Sequence, residues 1–207
     1  MGRHLLLLCR AVVLREVAVT FRLLPCSFVA AALAGCAPLS TFRPASGIMD
    51  DRSFEVGGGG TLVSPRPYVE EPVQAGVQAW VSGRATKALT LTGMGAAEAS
   101  AFALGGAARV DVLRTDRLAL GPEFEVGFLW GAANFGGAVR LFDQSWFYTA
   151  PRFGNRGSTW ALDLPAGLSF RIYEGLMLRT EYRVTWTGEL SYYQQRRMFG
   201  AAVAVQF

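Results

Sequence analysis

The amino-acid sequence predicts an all-β protein, an antiparallel up-and-down barrel of the membrane-spanning kind with about ten strands. Three observations carry that prediction. Long stretches alternate with period two, setting an almost wholly apolar face against a face of carboxylates and guanidinium groups. Turn signals recur at intervals too short for crossover helices, and no segment sustains a helical period. The last residues alternate Phe199, Ala201, Val203, Val205 and Phe207 with Gly200, Ala202, Ala204 and Gln206, so the chain ends on an apolar strand face.

The clearest strand runs from Arg117 to Trp130. Leu118, Leu120, Pro122, Phe124, Val126, Phe128 and Trp130 share one side, and Glu123 and Glu125 stand on the other. A soluble barrel would show the reverse preference on its outside. The pattern returns in Leu176, Leu178, Thr180, Tyr182, Val184 and Trp186 against Arg179, Glu181 and Arg183, and in Trp160, Leu162, Leu164, Leu168 and Phe170 against Asp163, Ser169 and Arg171. Counting back from Phe207 places strands near 197–207, 175–187, 159–172, 145–152, 135–142, 117–130, 102–113, 86–94, 73–82 and 53–63. Eight strands is the alternative if weak ones merge. The Gly57 to Gly60 run makes the first strand the weakest, with a flexible extension of the preceding segment as the other reading. Thr115-Asp116, Asp143-Gln144 and Glu174-Gly175 read as tight turns, whereas Gly154 to Ser158 and Gly188 to Arg196 read as longer polar loops.

A terminal aromatic on the last strand resembles the closing strand of bacterial outer-membrane β-barrels. That resemblance implies that Phe207 is part of the signal read by the barrel-insertion machinery. Near the other end, Leu23 to Ala34 form an apolar stretch of about a dozen residues, too short for a helical span of about 20 and suited to a secretory signal. Leu33-Ala34-Gly35-Cys36 resembles a lipobox, which implies cleavage before Cys36 and a lipid on it. Ala37 takes the place of the Asp that retains many such lipoproteins at the inner membrane, so outer-membrane sorting is expected. The division that follows is a signal over 1–35, with a true start near Val19 as an option, a lipidated tether over 36–52, and a barrel domain over 53–207.

Removing residues 1–35 lowers the basic count from 20 to 16 and the acidic count from 16 to 15, leaving a net charge of about +1. A nucleic-acid partner loses its support, and none is expected. The same cut takes away His4, the only histidine, with Cys9 and Cys26. No disulfide framework, Cys/His metal site or His-dependent catalytic constellation can then be assembled, so no metal, no cofactor and no catalytic residue are expected.

The inward faces collect Arg109, Arg140, Arg171, Arg179 and Arg183 with Asp111, Glu123, Glu125, Asp163 and Glu181. Equal numbers of the two signs in a narrow barrel predict mutual neutralisation. Trp130, Trp160 and Trp186 are expected at one rim of the lipid face and Trp146 with Phe207 at the other, as an aromatic girdle. The expected function is that of a small, porin-like outer-membrane barrel lipoprotein of a Gram-negative cell envelope, structural or surface-interacting, with a closed interior. Its partners would be membrane lipid, the insertion machinery, and lipopolysaccharide or a surface partner met by the outer loops, Ser191 to Arg197 in particular. A soluble periplasmic barrel lipoprotein binding an apolar ligand, with its faces inverted, and a narrow channel are the alternatives.

Overall fold

Ten antiparallel strands close on themselves, each pairing with the next and the last with the first. The computed structural model describes residues 52–65, 70–98, 101–127, 130–142, 145–156, 159–189 and 192–207. The expected signal, the lipobox with Cys36 and the tether as far as Asp51 lie outside the described residues, as do Phe128, the Asp143-Gln144 turn and Ser191. The strands are β1 (Phe54–Val63), β2 (Gln74–Arg84), β3 (Leu89–Glu98), β4 (Ala101–Val110, continued by Leu113–Arg114) and β5 (Leu118–Gly127). The ring continues through β6 (Trp130–Phe142), β7 (Ser145–Thr149 and Arg152–Arg156), β8 (Thr159–Tyr173), β9 (Leu176–Glu189) and β10 (Tyr192–Gln206).

Closure depends on β1. Its register runs from Glu55 opposite Gln206 to Val63 opposite Met198, and its other edge pairs with β2 throughout. The Gly57 to Gly60 run is therefore strand. Gly57 supplies a close approach: a side chain there would collide with the Trp80 indole. The β8–β9 turn uses Gly175 at φ 75, a left-handed conformation that glycine adopts without the Cβ clash.

The two faces of the wall are inverted relative to a soluble protein. Phe124 is 63% exposed and Val126 69%, and Leu62, Val77, Phe135, Phe153, Tyr182, Phe199 and Val203 also point out. Glu55, Arg109, Glu125, Arg152, Asp163, Arg179, Glu181 and Arg183 are buried inside. Strand alternation produces this directly: odd residues of β9 from Met177 to Thr185 are buried, and their even neighbours form the outside.

Three expectations need correction. The run from Arg117 to Trp130 is not one strand; β5 ends at Gly127 and β6 begins at Trp130, directly opposite it. Reversal puts Trp130 on the inner face, where Gly105 and Gly127 leave room that a side chain would fill. Trp146 also points inward, buried beside Ala119, Ala138 and Tyr148, because it is in phase with Tyr148 along β7 and the two alanines make space. The proposed polar loops are largely strand, since β7 runs to Arg156 and β10 begins at Tyr192. Trp160, Trp186 and Phe207 do lie on the outer side of the wall, with the Trp160 ring over Gly188.

Candidate functional site in the barrel interior

Among the described residues three groups of charged side chains occupy the interior, and two of them set an arginine against a tryptophan. In the first, Arg179 on β9 is 0% exposed and reaches past β10 to β1. There it grips Glu55 with both arms, Nη1 donating to Oε1 at 2.8 Å and Nη2 to Oε2 at 2.6 Å. Trp80 Nε1 donates to Glu55 Oε1 at 2.7 Å, and Gln206 Nε2 donates to Oε2 at 2.6 Å. The Arg179 guanidinium also sits 5.8 Å from the Trp80 ring centre. Trp80, Met177, Ala202 and Ala204 pack as an apolar cluster from three strands, so the ion pair is shielded from water on that side.

Arg152 on β7 organises the second group. Its Nη2 donates to Glu125 Oε2 at 2.9 Å and its Nη1 to Asp163 Oδ2 at 2.7 Å, so one guanidinium bridges β5 and β8. Asn134 Nδ2 donates to Glu123 Oε1 at 2.7 Å and to Glu125 Oε1 at 3.1 Å, holding the two carboxylates side by side. Arg183 lies 4.0 Å from Asp163 and 2.6 Å from Glu181, which extends the network to β9. Trp130 lies 5.7 Å from the Arg152 guanidinium. Both Arg152–Glu125 and Arg179–Glu55 skip an intervening strand, so they cut across the interior as chords.

The third group lies where β4 ends. Asp111 accepts from Arg109 Nε at 2.8 Å and from Arg114 Nη1 at 2.9 Å. The chain leaves regular pairing between Val110 and Leu113 and passes so close over Gly121 that a side chain there would meet the Val110 carbonyl. A break of this kind at a barrel rim re-aims the residue it carries, here Asp111. Arg140 sits 5.1 Å over the Trp146 ring near the end of β6.

All ten charged residues expected inside lie on inward positions, but the groupings were not legible. Glu55, Arg152, Trp80, Asn134 and Gln206 complete the networks and were missed. A signal existed for Arg152: Trp146, Tyr148, Ala150 and Arg152 keep one parity through Pro151, which reads like a strand end. Among the described residues no cluster of His, Cys, Asp and Glu suited to holding a metal ion occurs.

No protein-family model matches the chain, and no curated protein matches it. Among solved structures it is similar to Neisserial surface protein A, with 12% identity and a TM-score of 0.40 over 74% of this chain and 97% of that one. It is similar also to the KdgM porin, with 11% identity and a TM-score of 0.41 over 75% and 99%. Ail, the attachment invasion locus protein of Yersinia pestis, shares 12% identity at a TM-score of 0.32 over 73% and 96%. The barrel assignment itself stands on the register of the ten strands.

Proposed function

We propose that the protein is a small barrel that spans the bacterial outer membrane and serves a structural or surface-interaction role without enzymatic activity. One observation carries the reading: the wall is apolar outside and ion-paired inside, the arrangement a hydrocarbon surround favours. Closure removes the free strand edges that could not be tolerated in lipid. The chord-like pairs from Arg179 and Arg152 support a filled interior in place of an open pore, as small barrels generally have. In this reading Phe207 and the β2–β3, β4–β5, β6–β7 and β8–β9 connections lie on the periplasmic side, the terminal aromatic serves insertion, and a lipid on Cys36 adds a second attachment in the same leaflet.

Two measurements test the assignment together. The folded protein should migrate faster than the boiled form on a gel, and it should stay with the membrane through carbonate extraction. A tethered soluble domain would show neither behaviour, and its appearance in the carbonate supernatant would end this reading. Intact mass of the mature chain tests Cys36 separately, since acylation adds the mass of three fatty chains and a glyceryl unit.

A further inference from the structure

Pro122, Pro151 and Pro165 stand along β5, β7 and β8, and none has an N–H to give to the ladder. The Phe135 N–H points to β7, so Pro122, its partner on β5, directs its own backbone to β4. There the β4–β5 ladder stops at Arg109 opposite Glu123 and resumes at Leu113 opposite Leu120, an irregularity that absorbs a missing donor. Pro151 and Pro165 have no such relief. Ladder pairs join β6 to β7 as far as Asn134 opposite Arg152, and again from Gly137 opposite Thr149. They join β8 to β7 as far as Asp163 opposite Arg152, and again from Ala166 opposite Thr149. The break spans three residue steps on every strand concerned, so the register is unchanged and no bulge intervenes.

Over Ala150-Pro151, β7 thus stays in line with both neighbours but has no ladder pair with either. Opposite Pro151 stands Phe135, whose N–H donates to the Pro151 carbonyl at 3.2 Å, and proline cannot return the bond to the Phe135 carbonyl. Opposite Ala150 stands Pro165, so the Ala150 carbonyl receives no N–H from it either. Side chains hold the joint instead. On one side Thr149 Oγ1 donates to the Pro165 carbonyl at 2.6 Å. On the other, Arg152 reaches Asp163 on β8 at 2.7 Å and Glu125 on β5 at 2.9 Å. The flanking stretches are firm, since Trp146 and Tyr148 pack with Ala119 and Ala138, and Arg152–Arg156 is paired along both edges.

We propose that this joint is a side gate in the wall: Ala150-Pro151 moves away from β6 and β8 while the rest of the ring stays paired, with Thr149 and Arg152 as its two latches. Local opening follows the places where backbone bonds are fewest, and here two bonds of the ladder are missing in the middle of a strand that is otherwise paired on both sides. Thr149 and Pro151 share the outer side with Phe147 and Phe153, whereas Arg152 lies inside, so the gate joins the lumen to whatever surrounds the wall. The inference goes beyond the structural role and does not depend on it, because a water-soluble barrel with these two prolines would carry the same joint.

The test is amide hydrogen exchange of the folded full chain in phosphatidylcholine nanodiscs, read by mass spectrometry. Residues 134–137, 149–152 and 163–166 are compared with residues 199–203 of β10, which pair without a break on both sides. Exchange about tenfold faster at the joint is expected, and equal exchange in the two regions overturns the proposal. Pro151→Ala with Pro165→Ala returns both N–H donors and should bring the joint down to the rate of residues 199–203; a rate left unchanged means that the prolines do not make the gate. Thr149→Val removes one latch at constant shape, so exchange at 149–152 and 163–166 should rise about tenfold with residues 199–203 unaffected. No rise, or a rise shared by residues 199–203, overturns the latch and the separate opening. If the double alanine variant does not give the heat-modifiable species, the wild-type comparison and Thr149→Val decide the matter.

Discussion

Replacing Glu55 with glutamine should destabilise the barrel severely, because Glu55 anchors four hydrogen bonds from three side chains. The buried Arg179 would keep its charge in surroundings of Trp80, Met177 and two alanines with its carboxylate gone. Removing one partner of a buried ion pair costs about 3–5 kcal/mol, since the other is left desolvated. The single change R179M should lose a similar amount. Their combination removes both charges and lets the introduced amide oxygen accept from Trp80 or Gln206, so E55Q/R179M is expected to lose only about 1–2 kcal/mol in total. The assay is reversible urea unfolding in lipid vesicles followed by tryptophan fluorescence, with the four proteins forming one double-mutant cycle. Simple additivity, with the double variant losing the sum of the singles, would refute the reasoning, as would a loss below about 1 kcal/mol for E55Q alone.

Further expectations address the wall and its glycines. Phe124→Arg places a charge on the outer face near mid-strand and should lower stability by about 2–4 kcal/mol in vesicles; a neutral effect on the unfolding midpoint would mean that Phe124 meets water. Gly127→Val should drive the Trp130 indole from its place, since even a Cβ collides with that ring; the yield of heat-modifiable protein should fall several-fold, and normal yield would contradict the packing. Gly175→Ala strains the left-handed turn by about 1–2 kcal/mol and adds contact with the Gln206 carbonyl, to be seen as a lower urea midpoint at unchanged slope.

The sequence disclosed the wall better than the interior, for a physical reason. Period-two alternation is a local property, so the inward placement of Arg179, Glu181 and Arg183 follows from their own strand. Which charges meet depends on which strands face each other across the lumen, and Arg179 meets Glu55 across 124 residues of chain. Trp130 falls on the unexpected face because apolar spacing continues smoothly from Phe124 through Phe128, hiding the reversal after Gly127. A tryptophan carries no sign of its side by composition alone. Lipid rims and arginine-lined interiors both suit it, and Trp80, Trp130 and Trp146 take the second place because glycine or alanine stands opposite.

The pairing of the first strand with the last has a kinetic meaning. Gln206 and Glu55 are separated by 151 residues, so their contact requires nearly the whole domain to be in place. Until then Arg179 has no acceptor from β1, and an unclosed sheet carries its charge at an open margin. The seam should therefore form late and abruptly, with the quenching of Trp80 marking the moment at which a curved sheet becomes a ring.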